Sequence, residues 1–112
     1  MHTAVIGSRS FNNYPFLRQT LEKYPITQII SGGAKGADQL SEQYAHEKGL
    51  PTCIFKPDYA KFGKTAPLIR NQDIVNAADQ VIAFWDGQSR GTAHALEHAR
   101  KQGKIIYVVS FP

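Results

Sequence analysis

The strongest constraint on the fold is a set of five short apolar runs that recur along the chain at intervals of roughly 25 residues. The runs are rich in Val, Ile and Phe, and they are continuous rather than alternating with polar residues. Strands that are covered on both faces of a parallel sheet have this pattern. We therefore predict five buried strands, at Thr3–Gly7, Gln28–Ser31, Thr52–Lys56, Gln80–Phe84 and Ile105–Val109.

Helical patterns separate the predicted strands. The first helix begins near Tyr14 and Pro15, because proline suits the first helical position, and Pro25 stops it. The other three predicted helices run from about Gly36 to Lys48 with Gly49 as the cap, from about Thr65 to Ala78, and from Gly91 to Gly103. This alternation of strands and helices indicates repeated βαβ units and a parallel sheet with helices on both faces.

The predicted fold is an α/β, Rossmann-like three-layer sandwich in which residues 1–112 form a single domain. We predict the strand order 3-2-1-4-5, and the flavodoxin-like order 2-1-3-4-5 is the alternative. In the order 3-2-1-4-5, strands 2 and 3 lie on one side of strand 1 and strands 4 and 5 lie on the other, so the strand order reverses between strands 1 and 4. Ligands of such sheets bind in the crevice at the carboxyl ends of the strands at this point.

Three loops rich in small residues follow strands 1, 2 and 4, which are neighbours in the predicted order. Glycine lets the main chain approach a ligand, and free N–H groups at a helix N-terminus attract an anion such as phosphate. The spacing around Gly32 and Gly33 is neither that of a P-loop nor that of a clean GxGxxG motif, so the prediction depends on the loops coming together. The candidate ligand-binding residues are Gly7, Ser8, Arg9, Ser31, Gly32, Gly33, Lys35, Gly36, Asp38, Arg70, Asn71, Asp86, Ser89, Arg90, Gly91 and Thr92.

The charge distribution agrees with an anionic ligand. The chain has 13 Lys and Arg against 9 Asp and Glu, which gives a formal net charge of +4. Seven of the cations lie in segments that follow the carboxyl ends of predicted strands. They are Arg9, Lys35, Lys56, Lys61, Lys64, Arg70 and Arg90. Positive charge focused at one end of a sheet attracts anions.

The remaining reactive residue types do not suggest a metal or a cofactor. His94 and His98 share a helix face but lack a third ligand, so we predict no metal site and no cofactor. Cys53 lies in an apolar run, which predicts a buried and unreactive thiol. The aromatic side chains of the loops either stack on a base or pack at the rim of the core, and both alternatives stay open for Tyr59, Phe62 and Trp85.

The sequence also predicts where the protein resides. No apolar run approaches the roughly 20 residues that span a membrane. The N-terminus has neither the basic region nor the apolar length of a signal peptide. We therefore expect a soluble, cytoplasmic protein with no membrane partner.

Four motifs of the chain resemble those of the SLOG superfamily, in the same order. The superfamily takes its name from the DNA-processing Smf/DprA proteins and the Lonely Guy phosphoribohydrolases. The chain is most similar to the small stand-alone SLOG proteins of bacteria and phages. The resemblance implies a Rossmann-like fold, a nucleotide or nucleic-acid ligand at the strand carboxyl ends, and a homodimer. The motifs are Gly7-Ser8-Arg9, Ser31-Gly32-Gly33-Ala34-Lys35-Gly36-Ala37-Asp38, Pro67-Leu68-Ile69-Arg70-Asn71 and Asp86-Gly87-Gln88-Ser89-Arg90-Gly91-Thr92.

The resemblance leaves the activity open. Lonely Guy enzymes carry a PGGxGTxxE motif whose glutamate serves catalysis, and Gly91-Thr92 matches its glycine and threonine. Ala95 occupies the glutamate position, and Glu97 lies about 200° further around the helix. Asp38 and Asp86 are therefore the candidate catalytic carboxylates, because a carboxylate stabilises the oxocarbenium-like state of ribose cleavage.

Three hypotheses follow for the function. The first is binding of a nucleotide or a nucleotide-derived, phosphoribosyl ligand, as in a sensor. The alternative is a phosphoribohydrolase-like N-glycosidase of nucleoside 5′-monophosphates, in which Arg9, Arg70 and Thr92 hold the phosphate. The second alternative is binding of single-stranded DNA, although the chain has no long basic tract with interleaved aromatic residues.

Overall fold

The computed structural model describes residues 1–111, and its five strands form one parallel sheet in the order β3-β2-β1-β4-β5. This confirms the predicted Rossmann-like order and excludes the flavodoxin-like alternative. All four neighbouring strand pairs are parallel, so the five carboxyl ends lie at one edge of the sheet. The strands are β1 (His2–Gly7), β2 (Gln28–Ser31), β3 (Thr52–Ile54), β4 (Gln80–Phe84) and β5 (Ile105–Val109).

The helices agree with the predicted helices except in one segment. A short helix and a 3-10 turn at Gly63–Thr65 precede the third predicted helix, and neither was predicted. The short helix begins because the side chain of Asp58 accepts the N–H of Lys61 at 3.1 Å. The helices are α1 (Tyr14–Leu21), α2 (Ala37–Lys48), α3 (Tyr59–Phe62), α4 (Ala66–Ala77) and α5 (Arg90–Lys101).

Two apolar clusters cover the two faces of the sheet and confirm the three-layer sandwich. On one face, Leu17 and Leu21 of α1 and Tyr44 of α2 pack against side chains of β1, β2 and β4. On the other face, Ile74 of α4 and Ala95 of α5 pack against the opposite side of the same strands. The helices on the two faces therefore leave a crevice at the carboxyl edge of the sheet, beside the point between β1 and β4 where the strand order reverses.

The expectation of five buried strands is wrong for the two outer strands. Every residue of β4 is buried, whereas Ile54 of β3 is 40% exposed and Val108 of β5 is 52% exposed. An outer strand has a sheet neighbour on one side only, so its apolar side chains are less completely covered. For the same reason Cys53 is only partly buried, so the prediction of a buried thiol is wrong. β3 ends at Ile54, two residues before its predicted end at Lys56.

Two glycines allow the turns after β1 and β2 to pack against each other. A Cβ atom on Gly7 would lie 2.7 Å from the Cβ of Ala37 and would also overlap the carbonyl oxygen of Phe84. Gly36 has a φ of 84°, and a Cβ there would overlap the carbonyl oxygen of Ser8. The first turn of α2 therefore lies directly against the end of β1.

None of the helices in residues 1–111 combines the length and the apolar character that crossing a membrane requires.

We expect Gly7→Ala to lower the free energy of unfolding by about 1 to 3 kcal/mol, because the added methyl group overpacks the contact with Ala37 and Phe84. Gly91→Ala is the matched control, since a Cβ at Gly91 meets open space. We expect the control to leave stability unchanged or to raise it by up to about 1 kcal/mol. Urea denaturation measures both, and equal effects of the two changes would contradict the close contact.

Candidate functional site

A cavity of about 300 Å³ opens at the carboxyl ends of β1 and β4, between the first turns of α4 and α5. We call it the switch-point cavity, because the strand order reverses here. Eight of the sixteen predicted site residues line it, and they come from all four loop segments. These residues are Gly7, Arg9, Asp38, Arg70, Asn71, Ser89, Gly91 and Thr92.

The other eight predicted residues do not line the switch-point cavity. Ser8, Ser31 and Gly32 are buried, and their polar groups hold the loops in place. Lys35, Asp86 and Arg90 are exposed outside the cavity. Gly33 and Gly36 are partly buried and form the turn that leads into α2.

Within residues 1–111, Asp38 is the only carboxylate that lines the cavity. It is 7% exposed, and its Oδ2 accepts the main-chain N–H groups of Gly32 and Ala34, each at 3.2 Å. Burial raises the pKa of Asp38 to about 6, against the opposing effects of the two amides and of the nearby Arg70 guanidinium. Its Oδ1 has no hydrogen-bond partner within residues 1–111. One oxygen therefore orders the loop, and the other is available to a ligand.

Arg70 and Asn71 connect the three loops around the cavity. Nη1 of Arg70 donates to the carbonyl oxygen of Gly32 at 2.8 Å, and Nε donates to Oδ1 of Asn71 at 3.1 Å. Nδ2 of Asn71 in turn donates to the carbonyl oxygen of Gly91 at 3.3 Å. A Cβ on Gly32 would lie 2.6 Å from Nη1 of Arg70, so glycine is required for this contact.

A second set of polar contacts supports the loop after β2. The hydroxyl of Ser31 donates to Oε2 of Glu42 at 2.8 Å and accepts the N–H of Gly33 at 3.2 Å. The hydroxyl of Ser41 donates to the carbonyl oxygen of Asp38 at 2.7 Å. These buried serines therefore position the turn that carries Asp38 and do not face the cavity.

The loop after β4 leaves the first amides of α5 free. Oδ1 of Asp86 accepts the N–H groups of Gln88 and Ser89, each at 2.8 Å, and these hydrogen bonds hold the pKa of Asp86 below its usual value. Within residues 1–111, the N–H groups of Gly91 and Thr92 have no acceptor, and no side chain caps the helix. Both residues line the cavity, so the N-terminus of α5 presents donors to it.

The cations at the carboxyl edge are not neutralised by ion pairs. Within residues 1–111, the three salt bridges use Arg18, Lys48 and Arg100, and none uses the seven cations that follow strand ends. Arg9 is exposed at the rim of the cavity. The net positive charge of the chain is therefore free to act on an anion at this edge.

The loop aromatic residues take different positions, and none lines the switch-point cavity. Nε1 of Trp85 donates to the carbonyl oxygen of Ser89 at 3.1 Å, so Trp85 packs at the rim and holds the α5 turn. Phe62 is partly buried, with the ammonium group of Lys61 at 5.1 Å from its ring. Tyr59 is 59% exposed.

The histidines do not form a cluster of ligands. Nε2 of His98 lies 2.9 Å from Oδ1 of Asn76, and Nδ1 of His94 is buried with no hydrogen-bond partner in the described part of the chain. Among residues 1–111, no three His, Cys, Asp or Glu side chains come together in a way that could hold a metal ion.

One wall of the cavity is apolar, and the sequence did not identify it as part of a site. Such residues have the same signature as core residues, although four of them lie in or beside the loop motifs. The wall consists of Ile6, Ala34, Pro67, Leu68, Ile74 and Ala95. Ala95 is the residue at the position of the Lonely Guy glutamate. Glu97 is exposed and pairs with Arg100 at 2.6 Å, away from the cavity.

Sequence comparison identifies the family. Residues 1–62 match the YspA, cpYpsA-related SLOG family. The chain belongs to this SLOG family. The Gene 61 protein of Mycobacterium phage D29 is 35% identical to the SLOG chain over 89 residues, which is 74% of this chain and 70% of the phage protein.

Two solved structures resemble the SLOG chain in fold. DNA processing protein A (DprA) of Streptococcus pneumoniae superposes with a TM-score of 0.83 at 18% identity, over 99% of this chain and 50% of that protein. The Helicobacter pylori protein of the same name, which binds single-stranded DNA, has a TM-score of 0.73 at 24% identity, over 96% of this chain and 64% of that protein. The SLOG chain thus spans between half and two thirds of these proteins, and the likeness shows a shared fold.

The buried carboxylate gives the fold a specific pH dependence. The pKa of Asp38, about 6 in the folded protein, lies above its ordinary value of 3.8, so the folded state binds the proton more tightly than the unfolded state. As pH rises from about 4 to about 7, ionisation of Asp38 is expected to remove on the order of 3 kcal/mol of stability. Asp38→Asn removes this ionisation and keeps an acceptor oxygen. We expect the variant to gain stability relative to the wild type over this range in urea denaturation. Parallel pH profiles of the two proteins would contradict the raised pKa.

Proposed function

We propose that this SLOG chain binds a nucleotide or another phosphoribosyl compound in the switch-point cavity. The observation that carries the proposal is the convergence of a buried carboxylate, a guanidinium group and an uncapped helix N-terminus on one cavity. These groups complement the hydroxyls and the phosphate of a ribose phosphate. The volume of about 300 Å³ lies at the lower end of the range for small-molecule sites.

The phosphate group would lie at the N-terminus of α5. The free N–H groups of Gly91 and Thr92 and the hydroxyl groups of Ser89 and Thr92 are donors there. Arg9 adds a positive charge that no carboxylate neutralises within residues 1–111. Main-chain amides, the helix dipole and a guanidinium group together favour a dianionic phosphate.

The ribose would lie against Asp38. Its Oδ1 is an available acceptor for a sugar hydroxyl, while Oδ2 is held by the amides of Gly32 and Ala34. Because the pKa of Asp38 is about 6, the carboxylate is mostly ionised at neutral pH and accepts hydrogen bonds. The base would then contact the apolar wall near Pro67 and Leu68.

We expect Arg9→Ala to remove most of the thermal stabilisation that nucleoside 5′-monophosphates give, because the phosphate loses its one exposed guanidinium partner. The fold is expected to persist, since Arg9 is exposed. Arg90→Ala removes the same charge from the same edge but from outside the cavity, and its effect is expected to be smaller. The measurement is the shift of the melting temperature with AMP, GMP, CMP and UMP. Equal losses in the two variants would argue for a diffuse charge effect in place of a phosphate site.

Hydrolysis of the ligand is the weaker alternative, because glycosidic cleavage ordinarily uses two carboxyl groups. The switch-point cavity has one, Asp38, and Ala95 stands at the position of the Lonely Guy glutamate. Asp86 uses its Oδ1 to hold the loop before α5. We therefore expect no free base after incubation with nucleoside 5′-monophosphates, as measured by chromatography. Release of base that Asp38→Asn abolishes would support the hydrolase instead.

Single-stranded nucleic acid is the second candidate ligand. The similarity in fold to a single-stranded DNA-binding protein of Helicobacter pylori supports it. The seven cations at the carboxyl edge that lack ion pairs within residues 1–111 support it too, as does the exposed ring of Tyr59. A basic edge and an exposed aromatic ring are features of surfaces that bind single strands.

The predicted homodimer and the predicted cytoplasmic location stay predictions. The partly apolar surface beside the outer strand β5, where Val108 is 52% exposed next to Leu96 and Trp85, supports the prediction of a homodimer.

A further inference from the structure

A second cavity lies on the opposite side of the carboxyl edge and shares Arg9 with the switch-point cavity. It also has a volume of about 300 Å³, and Arg9, Asn12, Lys35 and Gln39 supply its polar lining. The buried ring of Phe11 forms part of its floor. We call it the Arg9–Lys35 groove.

The tight turn contact at the end of β1 adjoins both cavities, because Arg9 lines both of them and Gly36 lines the groove. A Cβ on Gly36 would lie 2.9 Å from the Cα of Arg9, so the main chains of the two turns are packed together there. The first turn of α2 contributes to both sides, because Asp38 lines the switch-point cavity and Gln39 lines the groove. A ligand that fills the switch-point cavity therefore reaches the groove by passing over Arg9.

The groove is suited to a second anionic group. Arg9 and Lys35 are both exposed, and neither forms a salt bridge within residues 1–111. Gly36 and Gln39 at the start of α2 line the groove, and no side chain caps this helix within residues 1–111. Asn12 and Gln39 add neutral donors and acceptors at the rim. Two cations without ion pairs beside an uncapped helix N-terminus favour a phosphate.

We propose that the ligand is a dinucleotide, with one nucleotide in the switch-point cavity and the second nucleotide in the Arg9–Lys35 groove. This inference rests on the proposed function of the switch-point cavity. Arg9, at the junction, contacts the linking phosphate or phosphates, and Lys35 contacts the second unit. The reversal of strand order is where an open α/β sheet accommodates a ligand that extends over both faces. The linkage is either a 3′,5′-phosphodiester or a 5′,5′-diphosphate, since both place phosphate next to Arg9.

The test compares three probes that carry the base preferred among AMP, GMP, CMP and UMP. They are the nucleoside 5′-monophosphate, the 5′-phosphorylated dinucleotide with a 3′,5′-phosphodiester, and the dinucleoside 5′,5′-diphosphate. Isothermal titration calorimetry measures their dissociation constants with the wild type, Lys35→Gln and Lys23→Gln. Lys23 is the matched control, because it is an exposed lysine outside both cavities.

We expect at least one dinucleotide to bind about tenfold more tightly than the monophosphate, and the one that does identifies the linkage. Lys35→Gln should remove most of this gain and leave monophosphate binding within about twofold, because Lys35 lies outside the switch-point cavity. Lys23→Gln should change neither affinity.

Two results would overturn the dinucleotide proposal and leave the proposed function standing. The first is equal binding of the monophosphate and both dinucleotides, and the second is an equal loss for all probes in Lys35→Gln. Failure of the wild type to bind any monophosphate or dinucleotide would overturn the proposed function itself.

Discussion

The Gly32 peptide is the point on which the candidate site depends, because it is held from both sides. Oδ2 of Asp38 accepts its N–H group at 3.2 Å, and Nη1 of Arg70 donates to its carbonyl oxygen at 2.8 Å. These two contacts join the turn after β2, the start of α2 and the start of α4. Through Asn71 the same chain of hydrogen bonds reaches the turn before α5. The cavity is therefore built by polar contacts between loops that are far apart in the sequence.

This arrangement has a cost in stability that a purely structural role would not explain. A buried carboxylate with a pKa raised to about 6 destabilises the fold once it is ionised at neutral pH. The two amide hydrogen bonds and the Arg70 guanidinium only partly offset the burial. Perturbed carboxylates in clefts are common at functional sites, and here the unpaired Oδ1 of Asp38 belongs to the cavity lining.

The electrostatics of the whole edge follow from topology. Because all five strands are parallel, each loop after a strand returns to the same edge, and the cations of those loops accumulate there. Two carboxylates of these loops are occupied elsewhere: Asp58 caps α3, and Asp86 holds the turn before α5. Two cavities meet over Arg9 at the centre of this edge. Such an edge is suited to an extended anionic ligand.

The sequence by itself determined the strands and the edge at which a site was expected, because continuous apolar runs such as Gln80–Phe84 and glycine-rich turns reflect local preferences. It favoured the order 3-2-1-4-5, but only the pairing of the strands in the tertiary structure excluded the flavodoxin-like order. It also identified Arg9, Asp38 and Arg70, because each belongs to a motif that follows the carboxyl end of a predicted strand. Only the tertiary structure decided which residues face the cavity. Ser8 and Ser31 carry the hydroxyl groups expected of ligand donors. These hydroxyls instead form hydrogen bonds with the main-chain N–H of Asp86 and the carboxylate of Glu42. The apolar wall, including Ala95, has only the local signature of core residues, and the packing of α4 against α5 brings these residues to the lining of the cavity.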